Sequence, residues 1–182
     1  MLRPSFKLLA RNWWPVAVWV VIIRLESTDY ASSRATFGLL YQVFTLIFGH
    51  VDPRLLLVLN EVLRKSGHFV GYAILSLLVF VALRRTHRDR LQPVLQRSWG
   101  SFFRDTWQFD WAAIAVLFAM ITAALDEIHQ SFLPSRTGRW QDVAIDTSGA
   151  IMMQLLLYAR AAHINHRRRQ ESVQEAEPSI TS

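Results

Sequence analysis

Cysteine is missing from all 182 residues, which excludes disulfides, thiolate chemistry and any zinc site built on thiolates, and leaves the redox compartment unmarked. A long unbroken apolar run is missing too. The strict runs are residues 13–23, 69–83 and 111–125, joined by 143–162 if Asp146, Thr147, Ser148 and Gln154 are tolerated inside it. Fifteen residues of helix cover only about 22 Å against a hydrocarbon core of about 30 Å, so polar flanks must share in any crossing. No small-x-small cleavage site follows the first run at signal-peptide distance, and the bulky Trp13-Trp14 pair reads as an interfacial anchor, so residues 13–23 are taken as a retained span. There is no internal repeat. Acids are the scarcer charge, 14 against 20 Lys and Arg, for a formal net charge of +6. The Arg residues nevertheless fall in blocks beside apolar runs and do not interleave with aromatics on a soluble face, so no nucleic-acid partner is expected.

What is present is apolar: 52% hydrophobic against 19% charged residues is too greasy for a disordered chain, and the length suits one compact unit. We expect an all-α fold, a four-helix transmembrane bundle with spans at about residues 8–25, 62–84, 108–131 and 142–162. A soluble bundle with buried core helices is the alternative, weakened because several runs lack the polar stripe of a surface helix. Between the first two spans, Leu39, Leu40, Val43, Phe44, Ile47 and Phe48 recur at helical spacing over a stretch too short to cross, which reads as an outer-leaflet interfacial helix. Asp52-Pro53 reads as an N-cap followed by proline at the first helical position. Residues 1–163 form the transmembrane domain in this reading, and 164–182, with an Arg cluster and then a Ser-rich acidic end, a disordered cytoplasmic tail.

Basic residues set the direction. Three precede the first span, six lie between the second and third, and four follow the fourth, so 13 of the 20 fall on one side. The positive-inside rule then puts both ends of the chain in the cytoplasm, in a multi-pass cell (inner) membrane protein. Three polar faces follow on the outer side: Lys65, His68 and Tyr72 on the second span, Asp126, His129 and Gln130 on the third, Asp142, Asp146 and Gly149 on the fourth. Charges below the headgroups are costly and face one another or a wet cavity. One bland account is a salt-bridge lock, Lys65 with Asp126 and Arg136 with Asp142, that only ties helices together.

The stretches "KSGHFVGYAILS" and "DEIHQSFLPSRTGRWQDVAIDTSGA" resemble the VanZ-like membrane proteins, whose pattern is Lys-x-x-His-x-x-x-Tyr, Asp-Glu-x-x-Gln-x-x-x-x-x-Arg and Asp-x-x-x-Asn-x-x-Gly. Lys65, His68, Tyr72, Asp126, Glu127, Gln130, Arg136, Asp142 and Gly149 match, and Asp146 stands where that pattern has Asn. The resemblance implies a small multi-pass membrane protein of a family whose founding member confers resistance to the glycopeptide teicoplanin. It brings no settled molecular activity.

Two classes of function remain. The favoured one is a membrane-embedded binding protein for an envelope lipid, a lipid-linked envelope precursor or a lipoglycopeptide, with Lys65, Tyr72, Glu127, Gln130, Arg136 and Asp146 contacting it. The alternative is an enzyme on a phosphorylated lipid, with Lys65, Arg136 and Arg139 on phosphate, Asp142 or His68 as nucleophile or base, and Asp126 orienting the imidazole. "SGH" and Ser135-Arg136-x5-Asp142-x3-Asp146 are similar to the Ser-Gly-His and Ser-Arg-x5-His-x3-Asp motifs of type 2 phosphatidic acid phosphatases, but Asp142 occupies the place of their nucleophilic His. No cofactor and no metal are expected, since Asp126-Glu127-x-His129 lacks the His-Glu-x-x-His spacing. A gated transporter is disfavoured, because four spans leave little room for a pathway.

Overall fold

The computed structural model describes residues 6–27, 33–49, 52–91, 107–132 and 139–176. Every regular element among them is a helix: α1 (Phe6–Glu26), α2 (Ser33–Phe48), α3 (Pro53–Leu91), α4 (Phe109–Ser131) and α5 (Trp140–Ala176). Helices α1, α4 and the Pro53–Arg88 part of α3 are long and apolar enough to cross a membrane. Helix α5 has the length, but Asp142, Asp146 and Gln154 on its inner side dilute its hydropathy.

Boundaries follow local chemistry. At the start of α3, Asp52 Oδ1 accepts the Arg54 N–H at 2.8 Å, and Pro53, which has no N–H to leave orphaned, opens the helix. Gly49, at φ 77°, closes α2 in the left-handed region, its N–H bonded to the Thr45 carbonyl at 2.9 Å. The C-terminal reading needs a correction: residues 164–176 continue α5 as helix instead of forming a disordered tail. No Gly or Pro falls between Gly149 and Pro178, and the Arg, Gln, Glu and Ala of this stretch are good helix formers even without an apolar face.

Helix α3 is the hub and packs against each of the other four. Its 39 residues make it ~58 Å long, enough to reach past both ends of a hydrocarbon layer. The core gathers Val16 and Ile23 of α1, Tyr72, Leu75, Val79 and Phe80 of α3, and Ala150 of α5 around one stripe of α4: Ala112, Ala115, Ala119 and Ala123. That stripe continues into Asp126 and Gln130, both buried. The opposite face of α4 carries Ile114, Leu117, Ile121, Leu125 and Ile128, all exposed. Small and polar side chains inside with large aliphatics outside is the inverse of a water-soluble helix, and it suits packing where lipid is the solvent.

Polar contacts lock the helices in place. Trp19 Nε1 donates to the Gly71 carbonyl at 2.9 Å, tying α1 to α3. Gln154 Nε2 donates to Ser76 Oγ at 2.8 Å deep between α3 and α5. Gly149 lies so close to the Phe69 carbonyl of α3 that a Cβ there would overlap it. This close approach brings the start of α5 against His68.

Candidate functional site

The polar faces meet at one end of the bundle, around a small, partly open recess lined by Arg64, Lys65 and His68 of α3, Glu127 and Gln130 of α4, and Asp142, Ile145 and Asp146 of α5. With Phe69 pressed on Gly149, the neighbouring His68 faces Asp146, Nδ1 to Oδ2 3.8 Å. The imidazole ring also stacks on Tyr72, centroids 6.4 Å apart. Arg64 Nη2 comes within 3.9 Å of Asp142 Oδ2 across the same recess. Asp142 sits in the first turn of α5, where the helix dipole favours an anion. Glu127 accepts the backbone N–H of Arg139 just before α5, fixing how the chain enters that helix.

Asp126 is built differently. Its Oδ1 receives Arg24 of α1 at 3.2 Å, and its Oδ2 receives both Ser27 Oγ at 2.5 Å and Gln130 Nε2 at 2.8 Å. With these donors it faces α1 and does not line the recess. Asp126 is therefore placed as a joint between α1 and α4, and Asp146 stands beside the His68 imidazole. The pairings expected of a simple lock are also redrawn. Lys65 pairs with Glu61 one turn earlier at 2.9 Å and not with Asp126. The cation beside Asp142 is Arg64; Arg136, the partner expected from the sequence, lies outside the described residues.

Three buried acceptor atoms, Tyr72 Oη, Asp142 Oδ1 and Asp146 Oδ1, have no hydrogen-bond partner among the described residues. Tyr72 is fully buried and Asp146 is 4% exposed. Unpaired oxygens in so dry a place are costly, and those of Asp142 and Asp146 belong to residues lining the recess, where a donor-bearing group would satisfy them. Among the described residues, no three of His, Asp and Glu gather tightly enough to hold a metal ion.

Arg24, Ser27 and Arg64 were not picked out by sequence reasoning. Arg24 carried a signal, a lone cation at the end of an apolar helix whose depth demands a counter-charge. Nothing in the spacing tied it to a carboxylate 102 positions away.

Helices with aliphatic exteriors, small-residue contacts and one polar recess at an end define an integral membrane protein of the all-α kind. A family model described as VanZ/LLP1 matches residues 13–161, from α1 into α5, and the chain belongs to that family. No curated protein and no solved structure matches it.

Proposed function

We propose that this VanZ/LLP1 protein is a membrane-embedded binding protein that holds the headgroup of an envelope lipid, or of a lipoglycopeptide, in the recess among α3, α4 and α5. In this reading α1, α3, α4 and α5 all cross the membrane, α2 lies in the interface, and the recess opens at the outer leaflet with both chain ends in the cytoplasm. A link to glycopeptide resistance of the teicoplanin type fits the family. One observation carries the proposal: Asp142 and Asp146, which line the recess, each carry an acceptor atom unpaired among the described residues, where a lock between helices would have satisfied them. Binding asks only that charges be placed, and both signs line the recess.

The enzyme reading keeps one observation of its own. His68 with Asp146 beside it is a base held by a carboxylate, and Asp142 stands close enough to serve as the attacking group on a lipid phosphate. Lys65, turned toward Glu61, is less well placed for a phosphate than that reading requires.

The test is a pair of measurements on purified protein. Phospholipid retained through detergent extraction is measured by mass spectrometry, and phosphate release from phosphatidic acid and lipid pyrophosphate is assayed in parallel. Binding predicts retention that Arg64→Gln and Asp142→Asn reduce, with no phosphate release. Turnover that Asp142→Asn lowers by orders of magnitude while retention survives would replace binding with the enzyme reading.

A further inference from the structure

We infer that the recess selects a zwitterionic headgroup carrying a primary ammonium beside a phosphodiester, as in a phosphoethanolamine lipid, with the ammonium on Asp142 and Asp146 and the phosphate toward Arg64. This rests on the binding reading above and names the ligand class for the same site.

Charge is the first argument. The lining holds two fixed cations, Arg64 and Lys65, and the titratable His68 beside Asp146, against three carboxylates, Glu127, Asp142 and Asp146. Lys65 is already matched by Glu61 just outside the recess. Asp126, a further acid on α4, has its own cation in Arg24. The described part of the recess is thus short of positive charge, and a surplus of carboxylates at membrane depth draws a cation.

Hydrogen bonding decides which cation. Among the described residues, Asp142 Oδ1 and Asp146 Oδ1 lack donors. Asp142 and Asp146 lie four residues apart on α5, so their side chains are neighbours on one helix face. Two acceptors on residues that line one recess can each take an N–H of a primary ammonium, and a quaternary ammonium has none to offer. The same recess also supplies an anion site. Arg64, a third exposed, sits loosely at 3.9 Å from Asp142, so its guanidinium has donors left for a phosphodiester oxygen. A group whose cation and anion are two carbons apart can bridge that short span, its ammonium on the acids and its phosphate on Arg64.

The experiment measures melting temperature and affinity of the full chain in detergent with short-chain phosphatidylethanolamine, phosphatidylcholine and phosphatidylglycerol, and with free ethanolamine, phosphoethanolamine and magnesium chloride. Phosphatidylethanolamine is expected to bind roughly tenfold or more tighter than the other two lipids, the scale of one charge-assisted hydrogen bond. Asp142→Asn and Asp146→Asn should erase that preference, whereas Arg64→Gln should weaken phosphatidylethanolamine and phosphatidylcholine alike, because both carry the phosphate. Free phosphoethanolamine matching the lipid would assign the site to a soluble headgroup and overturn the lipid assignment. Equal binding of phosphatidylcholine, or tighter binding of phosphatidylglycerol, would overturn the ammonium assignment while leaving lipid binding intact. Stabilisation by magnesium that displaces phosphatidylethanolamine would make the acids a metal site and overturn it too. No binding by any lipid would sink the underlying binding reading itself. The headgroup series on the unmodified protein decides among these outcomes even if a variant fails to fold.

Discussion

Gly149 stands where α5 comes closest to α3, and its missing Cβ is what lets the Phe69 carbonyl approach. Gly149→Ala should lower stability by about 1–3 kcal/mol, the usual cost of forcing atoms into a packed contact, while Gly71→Ala, which meets nothing within 4 Å, should leave the melting temperature nearly unchanged. Thermal denaturation in detergent, read by scattering or intrinsic Trp fluorescence, compares the two. A Gly149→Ala loss no larger than that of Gly71→Ala would mean that close approach does not explain the glycine. A second prediction concerns Asp126, which takes donors from Arg24, Ser27 and Gln130. Arg24→Gln and Asp126→Asn should each cost about 1–3 kcal/mol, and the double variant should cost no more than the larger single one. The Arg24 side chain is 43% exposed, so screening keeps the cost at the lower end of that range. Additive losses would separate the two residues.

At the scale of the element, α4 has two faces with opposite tasks. Its Ala112–Ala115–Ala119–Ala123 stripe is buried, and its Leu117 and Ile121 are about half exposed. Ala119→Leu should therefore destabilise the bundle by about 1–3 kcal/mol through overpacking against α3 and α5, while Leu117→Ala should cost little, because in a bilayer that side chain exchanges one apolar neighbour for another. A chemical or thermal unfolding midpoint measured in the same detergent distinguishes them. If Leu117→Ala proved the costlier change, α4 would be packed the other way round. The extension of α5 past residue 163 belongs to the same scale. Residues 165–174 are exposed all round, so their helix rests on propensity alone and should fray first, visible as fast amide exchange ahead of the buried part of α5.

At the scale of the whole molecule, orientation rests on the distribution of Lys and Arg, which no packing contact constrains. A reporter active only in the cytoplasm should work when fused after Arg90 or at Ser182, and should fail when inserted at Gly138. Activity at Gly138 would turn the bundle over and put the recess on the cytoplasmic leaflet. The side-chain pairings described above would be unaffected.

Helical character, three helices apolar enough to cross a membrane, the Asp52-Pro53 start of α3 and the nearness of Lys65, His68, Asp142 and Asp146 at one end were legible in the sequence. Periodicity and capping are local, and a polar residue at the end of a greasy run has few places to go in lipid. The partners within that end were not legible. Whether Asp126 meets Lys65 or Arg24, and whether His68 meets Asp126 or Asp146, depends on helix rotation and on how closely two backbones approach. Those are set at contacts such as Gly149 on Phe69 and Trp19 on Gly71, between residues 80 and 52 positions apart, respectively. Spacing along one helix fixes which side chains share a face, but only the assembled bundle decides what that face meets.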